Sequence, residues 1–172
     1  MQVIEHAKIV QFIGAADGIT GRKKLQKMVY IAKKLQYAYK EKYEFHMYGP
    51  YSEELTLRVE ELCNMGFLQE ERQDKGSYVQ YKYQATDAGD HFVQMAQLEE
   101  ASPALFTCIN LMKEKSSRFL ELVSTLLYFE HLPKEEQVEK LHVVKGKLNF
   151  SEVEIDEAYI FVMNLMNQRA IH

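Results

Sequence analysis

RKKLQKMVYIAKKL (residues 22–35), YGPYSEELTLRVEELCNMGFL (48–68) and SYVQYKYQATDAG (77–89) follow one another in the first ninety residues, and their order decides the fold. In the first stretch Leu25, Met28, Val29, Ala32 and Leu35 recur at helical spacing. That predicts an amphipathic helix over about residues 22–39, with Thr20 accepting from its first free N–H groups and Arg22, Lys23, Lys27 and Lys34 on its other faces. Helical periodicity then lapses over residues 43–51, where Tyr43, Phe45, Tyr48 and Tyr51 form a short extended aromatic arm turned by Gly49-Pro50. Ser52 opens a third helix as N-cap, Glu53 and Glu54 suit the positive end of its dipole, and Gly66 closes it in the left-handed conformation. Its apolar stripe is Leu55, Val59, Leu62 and Cys63.

Working outward, residues 67–73 and 77–85 predict a hairpin around Asp74-Lys75-Gly76, with Val79, Tyr81, Tyr83 and Ala85 on the packed face of its second strand. Thr86-Asp87 restarts a helix. Upstream, residues 3–16 carry a helical apolar stripe that ends at Asp17-Gly18. The Glu99-Glu100-Ala101-Ser102-Pro103 segment is the expected boundary, and everything beyond it is helical: a capped start at Ser102-Pro103, an apolar face from Phe119 to Leu127, a helix over 133–144, and a last helix opened by the capping box of Ser151 and Glu154. That last helix is apolar nearly all round, which suits burial in its own fold or against a second subunit. The expected fold is mainly α with a small β-hairpin. Residues 1–100 are expected to form a winged helix-turn-helix domain, and residues 101–172 a helical subdomain that dimerises or binds a partner.

The totals restrict the function classes. A chain of 172 residues with 47% apolar content can bury a substantial core. Cys63 and Cys108 have no CxxC partner and are expected to be buried thiols of a cytoplasmic protein, and no stretch reaches membrane-spanning length. The net charge of -4 hides an asymmetry, with +5 over residues 1–50, -7 over 51–100 and -2 thereafter.

Catalytic patterns are missing from the sequence. Gly14, Gly18 and Gly21 do not form a phosphate-cradling loop, the six histidines show no HExxH pairing, and no GxSxG elbow or SxxK pair occurs. The carboxylate pairs Glu53-Glu54, Glu60-Glu61 and Glu70-Glu71 are sequence neighbours that point apart. A non-enzymatic protein without metal or cofactor is expected.

Leu25-Gln26-Lys27-Met28-Val29-Tyr30, then Tyr48-Gly49-Pro50-Tyr51-Ser52 and a helix ending at Gly66-Phe67-Leu68, resemble the YwgA-like bacterial proteins, whose biochemical role is unassigned. The KLQK and YGP signatures are also similar to those of the Panacea antitoxin domain, a module that neutralises varied toxins. Residues 83–89, YQATDAG, look like the strand-to-helix exit of PadR-type winged-helix regulators, which dimerise through C-terminal helices.

Charge separates two functional expectations. A winged helix on DNA puts the helix after the turn into the major groove, yet the third helix carries Glu53, Glu54, Glu60 and Glu61 against Arg58, with Asn64 at its end. The first expectation is therefore a protein-interaction module that docks a basic partner through Tyr48, Tyr51, Glu53, Glu54 and Glu61. The alternative is a dimeric transcriptional regulator that grips phosphates with Arg22, Lys23 and Lys27 and reads bases with Arg58 and Asn64.

Overall fold

The computed structural model of the protein describes residues 3–171. Eight α-helices, two small antiparallel sheets and one 3-10 turn are present among them: α1 (Val3–Ala15), β1 (Ile19–Thr20), α2 (Arg22–Lys34), β2 (Glu44–His46), β3 (Gly49–Tyr51), α3 (Glu53–Asn64), β4 (Leu68–Asp74), β5 (Val79–Ala85), α4 (Asp87–Met95), α5 (Pro103–Lys113), α6 (Ser117–Tyr128), α7 (Lys134–Val144), the turn Gly146–Leu148, and α8 (Glu152–Ile171). The molecule is mainly α with a small β component. The larger sheet has the order β1-β5-β4, with Ile19 opposite Tyr83 and the β4–β5 register running from Leu68 opposite Ala85 to Asp74 opposite Val79.

The N-caps read from the sequence form as bonds. Ser52 Oγ accepts from Leu55 N at 3.1 Å, Thr86 Oγ1 from Gly89 N at 3.0 Å and Ser102 Oγ from Leu105 N at 3.1 Å, each satisfying a donor that the first turn leaves open. The capping box closes both ways, as Glu154 N donates to Ser151 Oγ at 3.1 Å and Ser151 N to Glu154 Oε1 at 3.2 Å. Arg118 adds two bonds to the same carboxylate, which pins α8 to the start of α6.

Three local expectations are corrected. Thr20 lies in β1 and does not cap α2, whose N-cap is Gly21 with no side-chain bond. α2 stops at Lys34, because Gln36 takes a left-handed φ of 72° and lets Tyr37 N reach back to Ala32 O at 3.1 Å, a closure that ends the helix five residues early. The aromatic arm is a hairpin: Phe45 pairs with Pro50 and His46 with Gly49, so the turn is Met47-Tyr48 and Gly49-Pro50 belong to a strand. Proline is tolerated there because a two-stranded edge asks no further ladder bond of it.

The core is continuous from one half of the chain to the other. α2 buries eight successive residues, Leu25 to Ala32, because α5, α6 and β3 cover the sides that the larger sheet leaves open. Cys108 is buried and Cys63 half-buried, both as free thiols. Among the described residues no helix is long and apolar enough to cross a membrane.

Candidate functional site

A cavity of about 610 Å³ opens between α2, the β2–β3 hairpin and α3. Its walls include Arg22, Lys23 and Lys27 together with Tyr48 and Tyr51, so residues expected to serve two different partners meet in one place.

The KLQK and YGPYS segments build this site jointly. Gln26, on α2, holds the backbone of Ser52 from both sides: its Nε2 donates to Ser52 O at 2.9 Å, and its Oε1 accepts from Ser52 N at 2.8 Å. The same Nε2 donates to Thr56 Oγ1 at 3.0 Å, and Thr56 is 2.8 Å from the Tyr51 hydroxyl. Tyr43 donates to Gln26 O at 3.0 Å. An amide that satisfies a strand end and a helix start at once fixes their angle, since each of these buried groups is costly if left unpaired.

The back of the hairpin rests on the C-terminal helices. Phe45 lies 4.9 Å from the Tyr128 ring, and the buried Lys145 reaches Met47 O while pairing with Glu121 at 3.0 Å. On the front, His46 stacks on Tyr51 at 5.0 Å.

Two of the three cavity cations are already engaged. Arg22 donates to the Tyr83 hydroxyl at 3.1 Å, lies 3.5 Å from Glu70 and stacks over Tyr81 at 3.8 Å. Lys23 sits over the Tyr48 ring at 3.2 Å. Lys27 was expected on an outer face of α2, but it is only 2% exposed, and its ammonium makes no hydrogen bond or ion pair with any described residue. Burial pushes its pKa down to about 8.

The remaining expected site residues lie off the cavity. Arg58, expected to face outward as a base reader, is 7% exposed and bonded to the fully buried Glu41, with Glu54 3.7 Å from its other nitrogen. Reading a base would require breaking that buried pair. Glu54 also accepts from Lys42 N at 2.9 Å, whereas Glu53 and Asn64 are exposed and Glu61 reaches His6 at 3.4 Å. Sequence reasoning missed Gln26, Thr56, His46, Glu70 and Tyr83. The available signal was the polar pair Gln26-Lys27 inside a run of apolar residues, where a buried polar group needs a purpose.

This arrangement can hold an apolar body and an anionic group. Among the described residues no group of three or more His, Cys, Asp or Glu could hold a metal ion.

No family model matches the chain. It is 50% identical over 161 residues to the uncharacterized protein YwgA of Bacillus subtilis strain 168, an alignment covering 94% of this chain and 96% of that protein. At that identity over nearly the full length of both, the chain belongs to the YwgA family.

Proposed function

We propose that the chain is a non-enzymatic winged-helix interaction protein that docks a protein partner on its aromatic hairpin and the outer face of α3. The winged-helix reading is supported by the order α1-β1-α2-α3-β4-β5-α4 and the sheet order β1-β5-β4, with β4–β5 as the wing and β2–β3 inserted ahead of α3. In this reading residues 1–100 are the winged-helix part, and residues 101–172 are a helical part through which two copies associate in the cytoplasm.

One observation carries the docking surface. The hairpin tip presents Met47, 82% exposed, and Tyr48, 52% exposed, beside an α3 face of Glu53, Leu57, Glu60 and Glu61. Exposed Met and Tyr with an acidic rim suit a basic protein surface. The Panacea resemblance makes a toxin the class of partner implied.

The test is recovery of a stoichiometric partner from the native host, followed by Glu53→Lys with Glu61→Lys. The double variant should weaken the complex at least tenfold; unchanged affinity removes α3 from the interface. The regulator reading keeps the fold order in its favour. Against it, Lys27 is turned inward, Arg22 is tied to Tyr83 and Glu70, and the outer face of α3 is acidic. A salt-sensitive electrophoretic shift with genomic DNA at low ionic strength would restore it, and none is expected.

A further inference from the structure

The docking surface shares Met47, Tyr48 and Glu60 with the rim of the cavity, yet the cavity interior poses a problem of its own: a buried cation with no counter-ion in contact among the described residues. An ammonium largely removed from water, open only to the cavity and left unpaired, is costly, and the usual resolution is an anion or loss of the proton. Glu121 attracts the Lys27 charge through space, but no nearby carboxylate among the described residues pairs with it. Glu121 is committed to Lys145 at 3.0 Å, Glu70 to the Tyr83 hydroxyl at 2.6 Å and to Arg22, and Glu60 lines the cavity without reaching ion-pair distance of Lys27.

The walls around Lys27 are mainly apolar, with Leu25, Tyr51, Leu55 and Val59 among them, and the volume of about 610 Å³ is in the range of pockets that enclose small organic ligands. We propose that this cavity binds a small organic acid, its carboxylate pairing with Lys27 and its apolar body lying against Tyr51, Leu55 and Val59. The charge count selects the class. Three cations, Arg22, Lys23 and Lys27, and two carboxylates, Glu60 and Glu70, share the walls, so a monoanion is balanced whereas a polyphosphate meets repulsion.

Binding depends on pH in a defined direction. The charged groups facing Lys27 are Lys23 on α2, Glu121 on α6 and Lys145 after α7, with Arg22, His46, Glu60 and Glu70 also on the cavity walls. Without ligand the amine loses its proton near pH 8, whereas a bound carboxylate holds the proton on. Affinity therefore falls as pH rises above about 8.

Calorimetric titration with benzoate, indole-3-acetate and octanoate, each beside its neutral amide, tests the site. At least one acid should bind at pH 7 at least about tenfold more tightly than its amide, and weaken at pH 9.5. Lys27→Met should abolish the preference while melting no lower than the parent. The proposal is overturned if no acid binds at millimolar concentration, if acid and amide bind equally, or if Lys27→Met keeps the preference. The comparison of acid with amide is made on the unaltered protein, and because Glu53 and Glu61 lie off the cavity, the test of the docking surface can fail or succeed separately from this one.

Discussion

Lys27 and Arg58 show how the same kind of residue, both written as outward cations, acquires opposite meanings once buried. Arg58 meets the buried Glu41, so the pair is internally balanced, and removing either member strands the other. Lys27 meets no counter-ion, so removing its charge relieves the fold. Its folded pKa of about 8 lies below the ordinary 10.5, which means the unfolded chain binds the extra proton between those values. The penalty is fully present below pH 8 and is relieved as pH rises toward 10.5; by linkage it amounts to roughly 3 kcal/mol. Lys27→Met should therefore stabilise the protein by roughly 1–3 kcal/mol at pH 7 in denaturant unfolding, and the gain should shrink above pH 8 and vanish near pH 10.5. A destabilised Lys27→Met at pH 7 would contradict the account. Neither burial was legible in the sequence, because helical spacing shows which residues share a stripe and not which distant helix will cover the opposite side. α2 reads as amphipathic on its own, and α5 and α6 make it central.

At the scale of elements, what the sequence showed was what neighbouring residues decide. Caps at Ser52, Thr86, Ser102 and Ser151 and the β4–β5 hairpin were legible, since each bond spans a few residues or follows from alternation. β1 was not, because a two-residue strand has no periodicity and exists only by pairing with β5. The β2–β3 hairpin was read as an arm, since its register is held from outside by Gln26, Lys145 and the Tyr128 ring. Close approach is equally invisible until the elements meet. A Cβ on Gly89 would stand 2.1 Å from Phe67 O and 3.2 Å from Val10 Cγ1, so α4 can lie against the entrance to β4 only with glycine there. Gly89→Ala should cost about 1–3 kcal/mol or more through that overlap, whereas Gly14→Ala, whose nearest new contact is an ordinary 3.8 Å, should gain about 0.5–1 kcal/mol inside α1. Thermal melts of the two variants check the contrast, and equal shifts would show that α4 moves away freely.

Over the whole molecule the fold removes the charge conflict that the sequence posed. A basic first segment and an acidic second one suggested two faces, yet Arg22, Lys23 and Lys27 share one cavity with Glu60 and Glu70. Apart from the acidic outer face of α3, the uncovered strip on the outside is apolar. α8 packs Ile155, Ala158, Phe161 and Leu165 against α5 and α6, while Val153, Ile160, Met163 and Met166 lie on its exposed side, Ile160 at 66% and Met163 at 62% exposure. Asp156 and Asn167 fall on the same side at helical spacing, giving a mixed strip that two copies can cover across a two-fold axis, each apolar patch meeting its own image. In the proposed dimer these side chains leave water together, and charge placed among them opposes itself across the axis. Light scattering should therefore give twice the 20.2 kDa chain mass, and Ile160→Glu with Met163→Glu should give the monomer at unchanged helix content. A monomeric parent at high concentration would reject the dimer and leave this strip for another protein. The two results also separate scales, because both substituted residues lie off the core of α8, so loss of association without loss of folding assigns the strip to assembly alone.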